Sequence, residues 1–454
     1  MSFRVPQSSR LRAELGAVGV DFLEHGLESL TRILPHVETK SWRITRGASA
    51  SGATFADVNR RQLNVKAGLD LGGSTWTIFG VLQRRKVPQG VGSIERTISL
   101  REKDVSQRVM TAVAATLGTP DDSGALSLRA LRASFDERVV AEHLAAQYAL
   151  DVDLGEWFIA LRQLAEQTYE NKALALGCII DSKKTKRPRE AGRFPRDFLK
   201  RKKYRALSDG YRTGYLISGA GAFLGFKELG RDARQGSQYY PEWCEDLASE
   251  ARSGRIALAL TRHGDVLVLE NGQLTFTYRF GRWQHWNHTH LVDLIRNAAR
   301  VQRVPTQLLS AVVRSVYRVA LDISFRKSGG MFVLLRRRAS LHDIVRWGDA
   351  VGDPERDAVD AEFDRSVGKA TVQSTRRTVL AELASLDGAL VLSNKGQVLA
   401  YGAILEPKKR GRIAATEGSR SKAAIGASNY GLAVKVSSDG DITVYVGGTK
   451  LIQV

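Results

Sequence analysis

Three stretches of the 454-residue chain hold residues whose types and spacing could do chemistry. Gly68 to Thr75 reads GLDLGGST, and glycines at such spacing let backbone N–H groups approach a phosphate. No second phosphate motif and no adenosine motif accompanies it, so a Gly-rich strand-to-strand turn is the favoured reading. His285, His288 and His290 put three of the eight histidines within six residues. Imidazole is the commonest zinc ligand, but a zinc site needs a fourth ligand, and no Cys or carboxylate lies close in sequence. A partly exposed loop beside Trp283 and Trp286 is favoured there. From Ser182 to Arg205, twelve Lys and Arg face only Glu190 and Asp197. Such a run could contact nucleic acid through phosphates. It carries only Phe194, Phe198 and Tyr204 as aromatic partners and no DNA-reading motif, so a solvated basic loop or a regulatory contact is favoured.

Composition sets the frame for these stretches. Apolar residues make up 43% and charged residues 26%, ordinary for a globular chain and too apolar for overall disorder. Charge is the deviation, at +20, which favours polyanionic partners such as nucleotides, nucleic acid or anionic lipid. Two cysteines, Cys178 and Cys244, cannot form a disulfide framework and are expected as buried free thiols. The longest uncharged run, Thr213 to Phe226, has fourteen residues, short of the roughly 18 to 20 that a spanning helix needs. The first residues lack the continuous apolar stretch of a leader, with Glu14 and Asp21 interrupting it. A cytoplasmic protein without membrane contact is the expectation.

The elements follow from periodicity. Residues 9 to 34 predict an amphipathic helix with Leu11, Leu15, Val18, Phe22 and Leu30 near one face and Pro35 after the last turn. Asn64 to Gln83 and Ser93 to Leu100 predict strands, with turns at Gly72-Gly73 and Pro88 to Gly90. Helical patterns cover Val105 to Leu117 and Ser127 to Leu164. Ile256 to Leu260 and Val266 to Phe280 predict strands, the latter folded at Asn271-Gly272, a strong hairpin signal. Helices are expected at Leu291 to Val301 and Pro305 to Ser324. The last third predicts a buried strand in Ser328 to Arg337, a helix over Ser340 to Val351, a loop over 352 to 370 and a helix over Thr371 to Ala384. Two hairpins then turn at Asn394 to Gly396 and at Asp439-Gly440.

Four segments of that last third, SGGMFVLLRRRASLHDIVRWGDAV, LDGALVLSNKGQVLAYGAIL, EGSRSKAAIGAS and LAVKVSSDGDITVYVGG, occur in an informative order. Together, over about residues 300 to 454, they resemble the diadenylate cyclase domain of the DNA integrity scanning type. The family's Asp-Gly-Ala loop stands here as Asp387-Gly388-Ala389. Its Gly-Thr-Arg-His-Arg-Ala-Ala stretch stands as Gly418-Ser419-Arg420-Ser421-Lys422-Ala423-Ala424. The departures are Ser421 for His, Lys422 for Arg, Leu386 for the His before Asp-Gly-Ala, and a reduced acidic pair at Ser438-Asp439.

The resemblance implies a metal-dependent nucleotidyltransferase that condenses two ATP into cyclic di-AMP, a bacterial second messenger, with release of pyrophosphate. It implies Asp387 as holder of Mg or Mn, Arg420 and Lys422 as phosphate-binding cations, and Gly388 and Ala389 as the close approach to ribose and base. Gly418, Ser419, Ser421 and Ser437 match positions facing the triphosphate. One ATP per protomer implies a homodimer or higher oligomer meeting about a two-fold axis. The expected fold is α/β, a mixed-sheet cyclase-like domain over 301–454. It is preceded by an α/β regulatory domain over 1–150 and a sensor-like domain over 151–300 that carries the basic loop and the hairpin. A non-catalytic nucleotide sensor and a basic nucleic-acid-binding module are the competing readings.

Overall fold

Apolar runs paired into strands, with amphipathic helices laid against them, make the chain mixed α/β with mixed sheets. The computed structural model describes residues 4–5, 10–47, 54–59, 62–71, 74–85, 98–118, 131–132, 134–188, 193–230, 239–336, 339–408 and 418–454. They group into two compact units, one from the described residues of Met1–Arg85, Arg96–Gln238 and Trp243–Asn287, the other from those of Tyr239–Glu242 and His288–Val454.

The first unit holds two sheets. Strands β1 (Val37–Arg46), β2 (Thr54–Asn59), β3 (Gln62–Leu71) and β4 (Ser74–Arg84) form an antiparallel sheet in the order β1-β4-β3-β2. After the short pair β5 (Thr168–Tyr169) and β6 (Lys172–Ala173), a seven-stranded sheet follows. It comprises β7 (Leu176–Asp181), β8 (Thr213–Ser218), β9 (Phe223–Glu228), β10 (Arg255–Leu260), β11 (Val266–Glu270), β12 (Gln273–Arg279) and β13 (Arg282–His285). Its order is β13-β12-β11-β10-β7-β8-β9, and only β7 and β8 run parallel. Asn271 and Gly272, both with positive φ, close the β11–β12 hairpin as the Asn-Gly pair demands. One buried cluster gathers Leu23 from helix Arg10–Ile33, Val65, Val109, Phe135, Phe158, Ile180 and Phe276, so residues on both sides of position 150 share it. Cys178 and Cys244 are buried and not joined in a disulfide, and burial pushes Cys178 up to about 12.

The second unit is a six-stranded sheet of β14 (Gly330–Leu335), β15 (Ala389–Leu392), β16 (Val398–Ala403), β17 (Gly431–Val436), β18 (Ile442–Val446) and β19 (Thr449–Gln453). The order is β16-β15-β14-β17-β18-β19, with β14 and β15 parallel and every other pair antiparallel. Every residue of β14 is buried, because both faces of the sheet are covered. Met331, Val333 and Leu335 pack with Ala424 and Ile425 of helix Ser419–Ala427. Helices Thr306–Arg326 and Arg377–Ser385 pack with β14 in the same unit. Arg377 fastens these two helices, its Nη2 donating to Asp322 Oδ1 at 2.6 Å.

Several expectations need correction. Ser340 to Val351 is not a helix: only Leu341–Asp343 makes a 3-10 turn. Gly348 has φ +88°, and the Asp353 carboxylate accepts from the N–H groups of Gly348 and Ala350, which holds the chain open. The expected loop over 352 to 370 contains helix Ala358–Val367, started by Asp357 accepting from Asp360 N. The following helix starts at Arg377 rather than Thr371, which instead bridges Gln397. Leu100 opens helix Leu100–Gly118 rather than ending a strand. The pattern over 127 to 164 divides into helices Phe135–Tyr148 and Leu154–Ala165, interrupted by left-handed Ala149 and the Asp153 cap. The turns at Gly72-Gly73 and Pro88 to Gly90, and residues 93–97 and 127–130, lie outside the described residues.

Candidate functional site

The strand directions of the second sheet bring four chain segments to one end. The parallel strands β14 and β15 begin there, and their antiparallel partners β17 and β16 end there, with Gly330 opposite Val436 and Ala389 opposite Ala403. Leu386 leaves helix Arg377–Ser385 in an extended conformation, and two residues later the chain must turn into β15. Gly388 makes that turn at φ +109°, where a Cβ would sit 2.5 Å from the Ala403 carbonyl oxygen and 2.6 Å from Gly402. Only glycine meets both demands. Ala389 then enters the sheet buried, while the Asp387 side chain stands fully exposed.

Helix Ser419–Ala427 delivers the cations. Gly418 is its extended N-cap, and its first turn carries no acidic side chain, so its N–H groups and its dipole favour an anion there. Arg420, 30% exposed, brings Nη2 to 3.6 Å from Asp387 Oδ1. Its guanidinium lies against Gly329, where a Cβ would sit 2.5 Å from Nη1. Lys422, exposed, follows one turn from Gly418, its N–H donating to the Gly418 carbonyl. Ser437 closes the β17–β18 turn: its Oγ accepts from Asp441 N at 3.0 Å.

Asp387, Gly388 and Arg420 are thus brought together, and Gly418 and Ser419 begin the helix that carries Arg420. Ser421 turns away, because its Oγ is buried and accepts a hydrogen bond from Lys435 Nζ at 2.7 Å. Lys435, Gly329 and Gly402 escaped the sequence reading. The available signals were a lone charge inside the apolar strand GLAVKV and a glycine pair before a wholly apolar strand.

The other chemical candidates take structural places. His285 sits in β13, its Nδ1 2.9 Å from the Thr275 carbonyl oxygen, and burial, aided by Arg101, pulls it down to about 3. His288 and His290 start helix His288–Val301, both buried, with His288 Nδ1 2.8 Å from the Tyr317 hydroxyl. The expected partly exposed loop is therefore a strand end and a helix start, stabilised by partnered imidazoles. Among the described residues no group of three or more His, Cys, Asp or Glu is arranged to hold a metal ion. In the basic segment, Phe194 packs on Trp157 and Phe198 on Phe223, so these rings serve the core. Gly68 and Thr75 lie in the paired strands β3 and β4, as a strand-to-strand turn requires. Among the described residues no helix is long and apolar enough to cross a membrane.

No family model matches the chain, and no curated protein matches it. Among solved structures, part of the chain is similar to a hypothetical membrane spanning protein from Bacillus cereus, with 19% identity over 36% of this chain and 74% of that one and a TM-score of 0.25. Part is likewise similar to DacA from Staphylococcus aureus, crystallised as a double mutant, with 21% identity over 31% of this chain and 86% of that one and a TM-score of 0.23.

Proposed function

We propose that residues 301–454 are a metal-dependent nucleotidyltransferase of the diadenylate cyclase type, and that the chain before them is regulatory. The observation that carries this reading is the 3.6 Å approach of Arg420 to Asp387 across the start of β15. Two residues 33 positions apart in sequence, each singled out by the motif resemblance, meet beside a glycine that no other residue can replace.

The reaction asks the protein to hold two ATP molecules so that each 3′-hydroxyl faces the other's α-phosphate. Each attack forms one P–O bond, breaks the bond to pyrophosphate and loses the hydroxyl proton, so catalysis is mostly alignment and charge neutralisation. Arg420 makes bidentate contact with phosphate, and Lys422 adds a point charge beside it. The helix start at Gly418 and Ser419 offers backbone donors to the triphosphate, and Ser437 adds a hydroxyl. Gly388 and Ala389 let ribose and base lie close to the backbone. Asp387 suits a hard divalent cation, since Mg²⁺ is commonly taken by one or two carboxylates plus substrate phosphates. When bound, Mg²⁺ or Mn²⁺ supplies Lewis-acid stabilisation of the reacting oxygens. With one ATP per protomer, turnover requires two protomers face to face.

One observation favours a second reading, nucleotide binding without turnover. Ser421, where the resemblance expects His, is committed to Lys435 inside the protein and offers no imidazole to phosphate. Incubation with ATP and Mg²⁺ or Mn²⁺, with products identified by mass, decides between them. Cyclic di-AMP and pyrophosphate support the cyclase. ATP binding with no product, in a preparation whose dimer is verified by sizing, replaces it with the sensor.

A further inference from the structure

The first unit contains a cavity of about 550 Å³, within the range of small-ligand sites. It opens between helices Arg10–Ile33, Phe135–Tyr148 and Leu154–Ala165 and the β12–β13 turn. Most of its charges are already matched. Arg32 holds Asp136 in a two-pronged contact at 2.9 and 3.1 Å, and Arg132 pairs with Asp21. Arg162 Nε lies 3.3 Å from Glu137 Oε2. His25 accepts from Arg32, and burial followed by Arg32 brings it down to about 4, so it adds no charge at neutral pH. Arg282 remains, exposed at the turn, with no carboxylate on it among the described residues. The lining therefore has one guanidinium in excess.

The same lining holds a buried carboxylate whose hydrogen bonds are incomplete. The Glu137 side chain is 5% exposed, and its Oε2 faces Arg162 without the alignment of a hydrogen bond. Burial raises its pKa, against the pull of Arg162 and the Trp283 indole. A buried carboxylate oxygen is costly to leave unsatisfied. Tyr278 and Trp283 supply aromatic wall.

We propose that this cavity binds a guanine nucleotide, with the base edge on Glu137 and the phosphate on Arg282 and Arg132. A carboxylate offers two acceptors side by side, and guanine presents two adjacent donors, N1–H and the 2-amino group. Adenine presents one donor beside an acceptor, so the same carboxylate discriminates against it. Phosphate is the planar guanidinium's natural partner, and releasing Arg132 from exposed Asp21 is inexpensive. The inference concerns a different unit from the cyclase reading and stands apart from it.

The test is calorimetric titration of the full chain with GMP, AMP and inorganic phosphate, carrying Asp387→Asn and Arg420→Ala so that the other candidate site is disabled. GMP should bind one per chain, at least about tenfold tighter than AMP or phosphate. Arg282→Ala, a change at an exposed turn, should weaken GMP about tenfold by removing a charge-assisted contact. Glu137→Gln should bring GMP and AMP to within about threefold of each other, because one acceptor becomes a donor. Equal affinity for GMP and AMP, phosphate binding as tightly as GMP, or Arg282→Ala within twofold of the parent would each overturn the proposal.

Discussion

Two Arg–carboxylate pairs, one in each unit, are built in opposite ways. Arg84 grips Glu102 with both nitrogens where the side chains are 3% and 1% exposed, and Ser99 and Asn287 bond the same carboxylate. Burial alone would raise Glu102, but Arg84 outweighs it and holds the carboxyl down to about 2. Arg420 and Asp387 stand 3.6 Å apart with Asp387 fully open to solvent. A buried, bidentate, fully bonded pair is spent on holding the fold. An exposed pair at long range contributes little stability and keeps its charges available. Burial and bonding, rather than residue type, separate a structural pair from a candidate working one.

The sharpest way to break that contrast is Glu102→Ala, which takes the carboxylate from a buried guanidinium and should cost about 3–5 kcal/mol in a denaturant titration. The parent's pH dependence carries the same information. Glu102 has a depressed value, so its stabilisation is full above its ordinary value of 4.5 and drains as pH falls towards about 2. Glu102→Gln should flatten the stability curve in that window. An unchanged slope would remove Glu102 from the account.

Asp387→Asn should do the reverse. Pyrophosphate release should fall at least about a hundredfold, near 2.7 kcal/mol of barrier, with the melting temperature unmoved. Activity within threefold of the parent would sink the assignment. Gly388→Ala lies between the two classes, because its φ of +109° and the Ala403 carbonyl oxygen 2.5 Å away oppose any side chain. About 1–3 kcal/mol of stability should go, together with turnover. The smallest effect belongs to Lys435→Met, which removes the donor to Ser421 and should cost about 0.5–1.5 kcal/mol of stability. A simultaneous rise in the Michaelis constant for ATP would move Lys435 from the structural class into the working one.

How much of this was legible depended on whether the signal was local. Asn271-Gly272, the apolar run Gly330 to Leu335 and the two C-terminal hairpins were readable, because turn chemistry and strand composition act over a few residues. Ser340 to Val351 has helical spacing, yet its backbone bonds go to Asp353 and to residues near 400, contacts that periodicity does not encode. Residues 352 to 370 look like a polar loop because their helix buries chiefly Asp364 and Val367. Asp364 is satisfied by Arg356 at 2.8 Å and the Tyr401 hydroxyl. In the candidate site, Asp387, Gly388 and Arg420 were legible as a motif. Gly402, Gly329 and Lys435 reach it through strand register and so were not.

The outer side of β16 has a consequence for assembly. Its backbone groups are taken up by the segment before helix Arg377–Ser385, in three short bridges at Val345, Ala350 and Thr371. Arg346 and Val351 donate to the carbonyls of Ile404 and Leu399, and Val398 donates to Ala370. Together these pieces act as a discontinuous seventh strand. An open edge of this kind is what lets one sheet template another, through swapped strands or fibrils. With the edge filled from within, this margin of the sheet is closed to strand addition, and a second copy approaching from that side must be recognised by side chains alone.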